Sequence, residues 1–329
     1  MLGVYALPLR GSVCQTAVMP AGSRPVLVLD SASLYYRAFH ALPESMTAPD
    51  GRPHNAVRGF LSTVTRLVDQ YRPVDVVPCW DADWRPQWRV DLIPTYKAHR
   101  VAEEGDGDEV DAELEPESLG AQAEAIAELL TAVGIAPLGR PGFEADDVIA
   151  SVAAQEARPV LAVSGDRDLV QVVNERVSLL LTVNGGMDKW PVLDPPSVIE
   201  RFGVEPSNYV DLAVLRGDPS DGLPGVAGIG AKTAVALVAA FGGIDGILAA
   251  AAADPVMRPM TPRLAASLLA DPDAVLRART VALAVTDLDV GSARPPATPE
   301  VFEQIAADWG VARQADALRA ALDRQTADE

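Results

Sequence analysis

Three short apolar runs in this sequence each end in an aspartate. They occupy residues 25–30, 75–81 and 158–166 and end in Asp30, Asp81 and Asp166. A fourth apolar run at residues 178–183 is another candidate for a buried strand, and helical patterns lie between the runs at about 54–70, 118–133 and 144–156. Strands that alternate with helices predict a parallel sheet that is covered by helices on both faces.

The predicted strands bring their aspartates to one edge of the sheet. Ligands of such sheets bind outside the carboxyl ends of the strands, so we expect the chemistry of the protein at that edge. After about residue 196 the strand pattern fades, and short helical segments joined by glycine and proline turns follow. We therefore predict an N-terminal extension at residues 1–24, an α/β core at 25–195 and a helical subdomain at 196–329.

Further carboxylates come in close groups. They lie in the segments GFEADDVI, SGDRDL and LRGDPSDGLP, and are Glu144, Asp146, Asp147, Asp166, Asp168, Asp218 and Asp221. A single aspartate is commonly a helix cap or a turn residue, but several like charges beside an apolar stripe cost energy unless a cation neutralises them. Mg²⁺ and Mn²⁺ prefer oxygen ligands, and a pair of such ions about 3.5–4 Å apart serves phosphodiester hydrolysis. The grouping therefore predicts a site for divalent metal ions.

The net charge and the cysteine content restrict the other classes of protein. The formal net charge is −19, but nine acidic residues lie in the segment 103–117, which is typical of a solvated loop. Without that segment and the grouped carboxylates the chain is almost neutral, so the acidity does not exclude a nucleic-acid partner. Cys14 and Cys79 match no metal-binding spacing, and no apolar run is long enough for a membrane helix. A reducing cytoplasm is the default compartment, and no membrane association is expected.

Five segments together resemble the bacterial 5′ nuclease family, which includes the N-terminal domain of DNA polymerase I and the flap endonucleases. They are, in order, LVLDSASLYYRAFHALP, WDADWRPQWRVDLIPTYKAHR, GFEADDVIASVA, SGDRDLVQVV and LRGDPSDGLPGVAGIGAKTA, and they span residues 26 to about 240. The resemblance implies an α/β fold with a PIN-like parallel-sheet core, a helical arch at about 82–117 and a helical subdomain with a helix-turn-helix element of the H3TH type. The implied activity is that of a metal-dependent 5′-3′ exonuclease and 5′-flap endonuclease.

The resemblance also implies two groups of metal ligands. The first group is Asp30, Asp81, Glu144, Asp146 and Asp147. The second group is Asp166, Asp168, Asp218 and Asp221, with Asp146 near the border between the two. These nine carboxylates exceed what two Mg²⁺ or Mn²⁺ ions need, which leaves outer-shell roles or a third ion open.

The resemblance also implies roles for basic and aromatic residues. In the segment YKAHR, Tyr96, Lys97 and Arg100 match the base of the arch. Lys97 would stabilise charge on the scissile phosphate, and Tyr96 would stack on a base. Arg37 and Arg89 match positions that face substrate phosphates. The acidic segment 103–117 is, as a hypothesis, a flexible part of the arch through or under which a single-stranded flap passes.

A glycine-rich hairpin at residues 225–233 differs from the phosphate loop of ATPases, because Ala231 separates Gly230 from Lys232. It resembles the family's helix-turn-helix element, which holds the duplex backbone and often a monovalent cation such as K⁺. Gly228, Gly230, Lys232 and Thr233 are the predicted backbone contacts, which position DNA without selecting a sequence.

Two residues depart from the family pattern. Gly222 stands where Asn is usual, and we expect it to loosen the loop of the second metal. Arg216 stands where a small or apolar residue is usual, and we expect it to pair with a carboxylate of the cluster.

The expected partners are DNA with 5′ flaps, gaps or ends and RNA primers annealed to DNA, and the expected state is a monomer. A phosphohydrolase with the pattern strand-Asp-x-Asp is excluded, because Ala32 occupies the second acidic position. Two alternatives stay open, namely a catalytically silent structure-specific DNA-binding protein and an RNA-directed nuclease on the same sheet.

Overall fold

The computed structural model describes residues 24–103, 112–291 and 294–327. The strands in chain order are β1 (Val26–Asp30), β2 (Asp75–Cys79), β3 (Val101–Glu103), β4 (Ala112–Glu113), β5 (Val160–Ser164), β6 (Val177–Leu181) and β7 (Val192–Leu193). The main sheet has the order β2-β1-β5-β6-β7. β1 pairs in parallel with β2 and β5, β5 pairs in parallel with β6, and β7 runs antiparallel to β6. The predicted strands and their parallel arrangement are therefore confirmed.

The helices separate and follow these strands. In chain order they are α1 (Ser31–Ala41), α2 (Asn55–Tyr71), α3 (Gln87–Leu92), α4 (Leu119–Ala132), α5 (Ala145–Gln155), α6 (Pro195–Phe202), α7 (Tyr209–Arg216), α8 (Ala231–Phe241), α9 (Ile244–Ala251), α10 (Pro262–Leu269), α11 (Pro272–Ala282), α12 (Pro299–Asp308) and α13 (Ala312–Ala327). The helical patterns predicted at 54–70, 118–133 and 144–156 correspond to α2, α4 and α5.

Two hydrophobic cores lie on the two faces of the sheet, and β1 contributes to both. Successive side chains of a strand point to opposite faces. Val26 and Val28 pack in one core with α5 and with α7 to α11, whereas Leu27 and Leu29 pack in the other with α1, α2 and α4. A central strand that is buried on both faces must be apolar throughout, which is why the sequence of β1 shows no alternation.

The last two helices belong to the core and not to the helical subdomain. Phe302 of α12 and Leu318 of α13 are buried in the same cluster as α2 and α4. The guanidinium of Arg52 lies 3.7 Å from the centre of the Trp309 ring, and His54 Nδ1 is 2.6 Å from the Trp309 carbonyl oxygen. The predicted subdomain at 196–329 is corrected accordingly: the chain returns to the α/β core after it. The apolar spacing of α12 and α13 indicated buried helices but not the surface that buries them.

The predicted arch region at about 82–117 contains the short helix α3, a helical turn at Ala98–Arg100 and the antiparallel pair β3–β4. Residues 104–111 of the acidic segment lie outside the described residues, and so does the predicted extension at 1–24 apart from Arg24.

In the described part of the chain, no single helix is long and apolar enough to cross a membrane. α8 and α9 together reach the required length and composition, but they are bent by 88°. Their buried residues, such as Leu237 and Ile247, pack in the core with α5 and α7, which accounts for their apolar sequence.

Candidate metal centre

The carboxyl ends of β1, β2 and β5 meet at one edge of the sheet, as the sequence predicts. Asp30 is the last residue of β1 and caps α1 by accepting a hydrogen bond from the Ser33 amide at 3.0 Å. Asp81 follows β2 and accepts a hydrogen bond from the Ala145 amide at 2.8 Å, so that it joins this edge to the start of α5. Asp166 follows β5, and its Oδ1 accepts a hydrogen bond from the Asp168 amide at 2.8 Å.

These aspartates line a cavity of about 1350 Å³ together with Glu144, Asp146 and Asp218. Asp168 and Asp221 do not line the cavity, but they are hydrogen-bonded to each other, and the charges of Asp166 and Asp218 act on both. Cationic side chains line the same cavity, among them Arg37, Lys97, Arg100 and Arg216. The structure therefore brings both predicted groups of carboxylates to one place.

Desolvation and mutual repulsion raise the pKa of Asp30, Asp146 and Asp168. Burial, followed by the charges of Asp81 and Asp166, raises the pKa of Asp30 to about 7. Burial and then Asp166 raise the pKa of Asp146, and the same two causes raise the pKa of Asp168. The charge of Asp166 thus raises the pKa of carboxyl groups in both predicted metal-ligand groups. Buried carboxylates that repel one another are stabilised when a cation binds between them, and divalent metal ions supply that positive charge.

The donor set fits hard cations that keep water ligands. Within the described ranges, no three of these carboxylates converge closely enough to form a complete protein cage for one ion. Mg²⁺ in particular needs only one or two carboxylates and retains several waters, so a complete cage is not required. The residues present therefore fit divalent metal ions of this kind.

Asp147 departs from the predicted ligand set. Its carboxylate is fully buried and accepts hydrogen bonds from Arg89 Nη1 at 2.7 Å and Nη2 at 2.8 Å. It also accepts hydrogen bonds from the amides of Val285 at 2.8 Å and Glu144 at 3.2 Å. With both oxygens turned into the protein, Asp147 is a structural carboxylate, and its prediction as a ligand of the first metal is corrected.

Arg89 is corrected for the same reason. Its side chain is 3% exposed, and it donates a further hydrogen bond to the Val281 carbonyl at 2.9 Å. A buried guanidinium that is bonded in this way cannot face a substrate phosphate. Arg89 instead joins α3 of the arch region to α5 and to the end of α11.

Tyr96 is buried as well, so its ring is not free to stack on a base, and that prediction is also corrected. Its hydroxyl is 2.9 Å and 3.0 Å from the two carboxylate oxygens of Glu144. Its ring packs with Leu223 and Val281 in a small hydrophobic cluster. Tyr96 therefore helps to fix the Glu144 carboxylate, which lines the cavity.

Lys97 lies at the cavity wall, held by Glu144. Its Nζ donates a hydrogen bond to Glu144 Oε2 at 3.0 Å. Burial lowers the pKa of Lys97, but the charges of Glu144, Tyr96, Asp221 and Asp81 together outweigh this effect, and the net pKa lies well above the ordinary value. Burial raises the pKa of Glu144 to about 7, although Lys97 and Arg89 act against it. The lysine therefore carries its positive charge into the cavity.

The loop between α7 and residue 223 docks directly on the backbone around Lys97. The Lys97 amide donates a hydrogen bond to the Asp221 carbonyl at 3.2 Å, and Thr95 Oγ1 donates one to the Gly222 carbonyl, also at 3.2 Å. Gly222 has φ +71°, and a Cβ atom on it would lie 2.1 Å from the Thr95 carbonyl oxygen. Gly222 therefore permits a close approach, which corrects the expectation of a loosened loop.

Arg216 pairs with a carboxylate of the cluster, as predicted. Its Nη2 is 3.6 Å from Asp218 Oδ2. Two other cationic side chains on the cavity wall also have protein partners. Arg37 donates hydrogen bonds to the carbonyls of Val183 and Gly185, and Arg100 donates one to Glu113.

The glycine-rich hairpin lies apart from the cavity lining. Ile229 is buried and anchors it, while Gly228, Gly230 and Lys232 are exposed and Thr233 is half-buried. Gly230 immediately precedes α8, so the first amides of that helix have no partner within the helix.

Two residues of the site were missed by the sequence analysis. Ser164 donates a hydrogen bond from its hydroxyl to Asp30 Oδ2, and it accepts one from the Asp166 amide at 2.9 Å. Its position at the end of β5, directly before the Gly-Asp pair, was the available indication. Glu113 belongs to the acidic segment, and no feature of the sequence indicated its contact with Arg100.

The parallel sheet, its carboxylate edge and the helical subdomain together define a metal-dependent nuclease with a PIN-like core. A family model described as "5′-3′ exonuclease, N-terminal resolvase-like domain" matches residues 25–203, and one described as "5′-3′ exonuclease, C-terminal SAM fold" matches residues 204–298. The chain belongs to the 5′-3′ exonuclease family.

Individual relatives agree with this assignment. The chain is 45% identical over 313 residues to a 5′-3′ exonuclease of Mycobacterium tuberculosis (strain ATCC 25618 / H37Rv), covering 91% of this chain and 98% of the relative. It is 47% identical over 294 residues to a 5′-3′ exonuclease of Streptomyces coelicolor, covering 87% and 96%.

Solved structures share the fold at low sequence identity. T5 5′-exonuclease with bound zinc ions has a TM-score of 0.61 at 18% identity, covering 92% of this chain and all of that one, 100%. The catalytic core of Rad2 in complex with DNA substrate has a TM-score of 0.59 at 16% identity, covering 91% and 93%.

Proposed function

We propose that this protein hydrolyses phosphodiester bonds near the 5′ ends of DNA strands, as a 5′-3′ exonuclease and 5′-flap endonuclease that uses Mg²⁺ or Mn²⁺. The observation that carries the proposal is the edge of mutually repelling carboxylates beside the charged Lys97. Membership of the exonuclease family supports the reaction, and the DNA complex of the structurally similar Rad2 core supports the substrate.

Two ions would be held by the carboxylates that face the cavity. Asp30, Asp81 and Asp146 would hold the first, one or two of them directly and the rest through water. Glu144 would also act through water, since Tyr96 and Lys97 already occupy its oxygens. The second would be held by Asp166, Asp168, Asp218 and Asp221. When bound, such ions lower the pKa of a coordinated water and neutralise charge on the departing 3′ oxygen.

The protein's own cations position the phosphate. Lys97 is fixed by Glu144 on one side and by the Asp221 backbone on the other, so its charge is directed to the reacting phosphate with little reorganisation. Arg37 and Arg100 on the cavity wall would contact neighbouring phosphates of the strand. The products would be a 5′-phosphate and a 3′-hydroxyl.

The duplex beside the cut would lie on the helical subdomain. The exposed hairpin at 225–233 offers the first amides of α8 and the side chains of Lys232 and Thr233 to a phosphate, with K⁺ as a further ligand. We further propose that the protein acts as a monomer in the cytoplasm. It would remove flaps and RNA primers there during replication and repair.

Cleavage of a 5′-labelled flap duplex with Mg²⁺ or Mn²⁺ tests the proposal. Asp166→Asn is the matched variant, because Asp166 is exposed and an amide keeps the hydrogen bond that its Oδ1 accepts. Metal-dependent incision near the flap junction that is lost in the variant supports the proposal. Tight binding of the flap without cleavage by any divalent ion would support a silent DNA-binding protein, and cleavage restricted to RNA strands would support an RNA-directed nuclease.

A further inference from the structure

Arg216 places a fixed positive charge beside one carboxylate of the second group. It is the last residue of α7, it lines the cavity, and its side chain is 33% exposed. Its Nη2 is 3.6 Å from Asp218 Oδ2, and its Nε donates a hydrogen bond to the Gly217 carbonyl at 3.3 Å. The backbone bond limits the directions in which the guanidinium can turn.

The two oxygens of Asp218 face different partners. Oδ1 accepts hydrogen bonds from Ser220, at 2.9 Å from its amide and from its hydroxyl. Oδ2 faces Arg216. A cation that approaches this carboxylate therefore meets either an oxygen that the loop already uses or an oxygen that lies beside a guanidinium.

The charge of Arg216 also reaches a phenol beside the second group. It acts on Tyr209 together with Asp168, since the two residues shift the pKa of that phenol in opposite directions. Burial raises the pKa of Asp221, and the charges of Lys97 and Arg100 act against this rise. Within the second group, Arg216 thus acts on Asp218, and Lys97 and Arg100 act on Asp221.

We propose that Arg216 weakens the binding of the divalent ion held by Asp218 and its neighbours, and supplies part of that ion's positive charge in its place. The inference rests on the proposed metal centre. A unit charge that faces a divalent ion across one carboxylate at the surface of a cavity changes its affinity on the order of tenfold. This chain would accordingly need a higher metal concentration to fill the second position than a relative with an apolar residue there.

Titration of the metal-free protein with Mn²⁺ by calorimetry, without DNA, tests the inference. Asp218→Asn first identifies the ion that Asp218 holds, and the dissociation constant of that ion is then compared between variants. Arg216→Leu should bind it about tenfold more tightly, and Arg216→Lys, which keeps the charge, should stay close to the parent protein. Arg201→Leu on α6 is the matched control and should change nothing.

Three outcomes would overturn the inference. They are an unchanged or weaker affinity in Arg216→Leu, equal effects of Leu and Lys, and an ion stoichiometry that Asp218→Asn does not alter. Melting temperatures confirm that each variant is folded. Failure of the proposed function is distinguishable, because a protein that cuts no DNA would still give these titrations. If the protein cuts DNA but its metal affinity does not depend on Arg216, the inference is refuted and the proposed function is not.

Discussion

Arg89 and Asp147 form a buried bidentate ion pair, with the two nitrogen–oxygen distances at 2.7 and 2.8 Å. The pair connects elements that are far apart in the sequence, because Asp147 also accepts a hydrogen bond from the Val285 amide and Arg89 donates to the Val281 carbonyl. It therefore holds α3, the start of α5 and the end of α11 together.

Removal of one partner of this pair should strongly destabilise the protein. Asp147→Asn leaves the buried Arg89 charge with only the more distant Glu144 carboxylate, at 3.5 Å. Loss of one partner of a buried pair typically costs about 3–5 kcal/mol in the free energy of unfolding. Urea denaturation measures the change. The matched control is Arg324→Ala, which breaks the exposed pair of Arg324 with Asp69 and should cost less than about 1 kcal/mol. Equal losses in the free energy of unfolding would show that the buried pair stabilises the protein no more than the exposed pair does.

The sequence analysis could not determine which carboxylates face the cavity. Asp146 and Asp147 are adjacent and both fit a metal-binding motif, but consecutive residues of a helix point about 100° apart. Asp146 consequently faces the cavity, whereas Asp147 faces the interior and Arg89. Which of them turns inward depends on how α5 is rotated against its neighbours, and local spacing does not contain that information.

The strands were predictable for a different reason. A central parallel strand is apolar on both faces, and the residue after it lies at a fixed edge of the sheet, so Asp30, Asp81 and Asp166 could be placed together from local pattern alone. The return of α12 and α13 to α2 and α4 depends on contacts such as that between Arg52 and Trp309. These residues are hundreds of positions apart, and no local pattern specifies their pairing.

Tyr96→Phe should lower kcat severalfold with little change in KM. The substitution removes the hydroxyl that bonds Glu144 and so loosens the group that orients Lys97, but it keeps the ring. A base-stacking role would predict no loss, because phenylalanine stacks as well as tyrosine. Steady-state kinetics on a flap substrate distinguish these roles. Tyr36→Phe is the matched control, since Tyr36 also lines the cavity but is exposed.

Gly222→Ala should disturb both Lys97 and the loop that carries Asp218 and Asp221. The new Cβ would lie 2.1 Å from the Thr95 carbonyl oxygen, so the loop must move away from the backbone that carries Lys97. We expect a loss of about 1–3 kcal/mol in stability and a clear fall in kcat. Gly51→Ala is the control, because Gly51 has φ +93° but a Cβ atom on it would meet nothing within 4 Å, and its cost should be limited to backbone strain. A Gly222 variant that matched this control in both stability and rate would contradict the close approach.

Trp309→Ala should test whether the C-terminal helices are part of the core. Trp309 is 6% exposed and contacts Arg52, so its truncation should cost about 3–5 kcal/mol in the free energy of unfolding. Val301→Ala on the exposed side of α12 should stay within about 0.5 kcal/mol. Chemical denaturation followed by fluorescence gives both values. A small effect at Trp309 would mean that these helices are a dispensable appendage.

Neutralisation of one clustered carboxylate should stabilise the metal-free protein and reduce its stabilisation by metal. Asp146 is crowded by Asp166, Asp30 and Glu144, whose charges add to the effect of burial on its pKa. Asp146→Asn keeps the shape of the side chain and removes this repulsion, so the melting temperature in EDTA should rise by about 2–4 °C. Mn²⁺ should raise the melting temperature of the parent protein, because a ligand that binds the folded state stabilises it, and should raise that of the variant less, since only the second ion keeps all its ligands. Glu200→Gln on the exposed surface of α6 is the control and should behave as the parent in both buffers.

If Asp146→Asn melts at a lower temperature in EDTA, or still gains the full stabilisation from Mn²⁺, then repulsion at this edge is not relieved by a cation and the metal centre is misassigned.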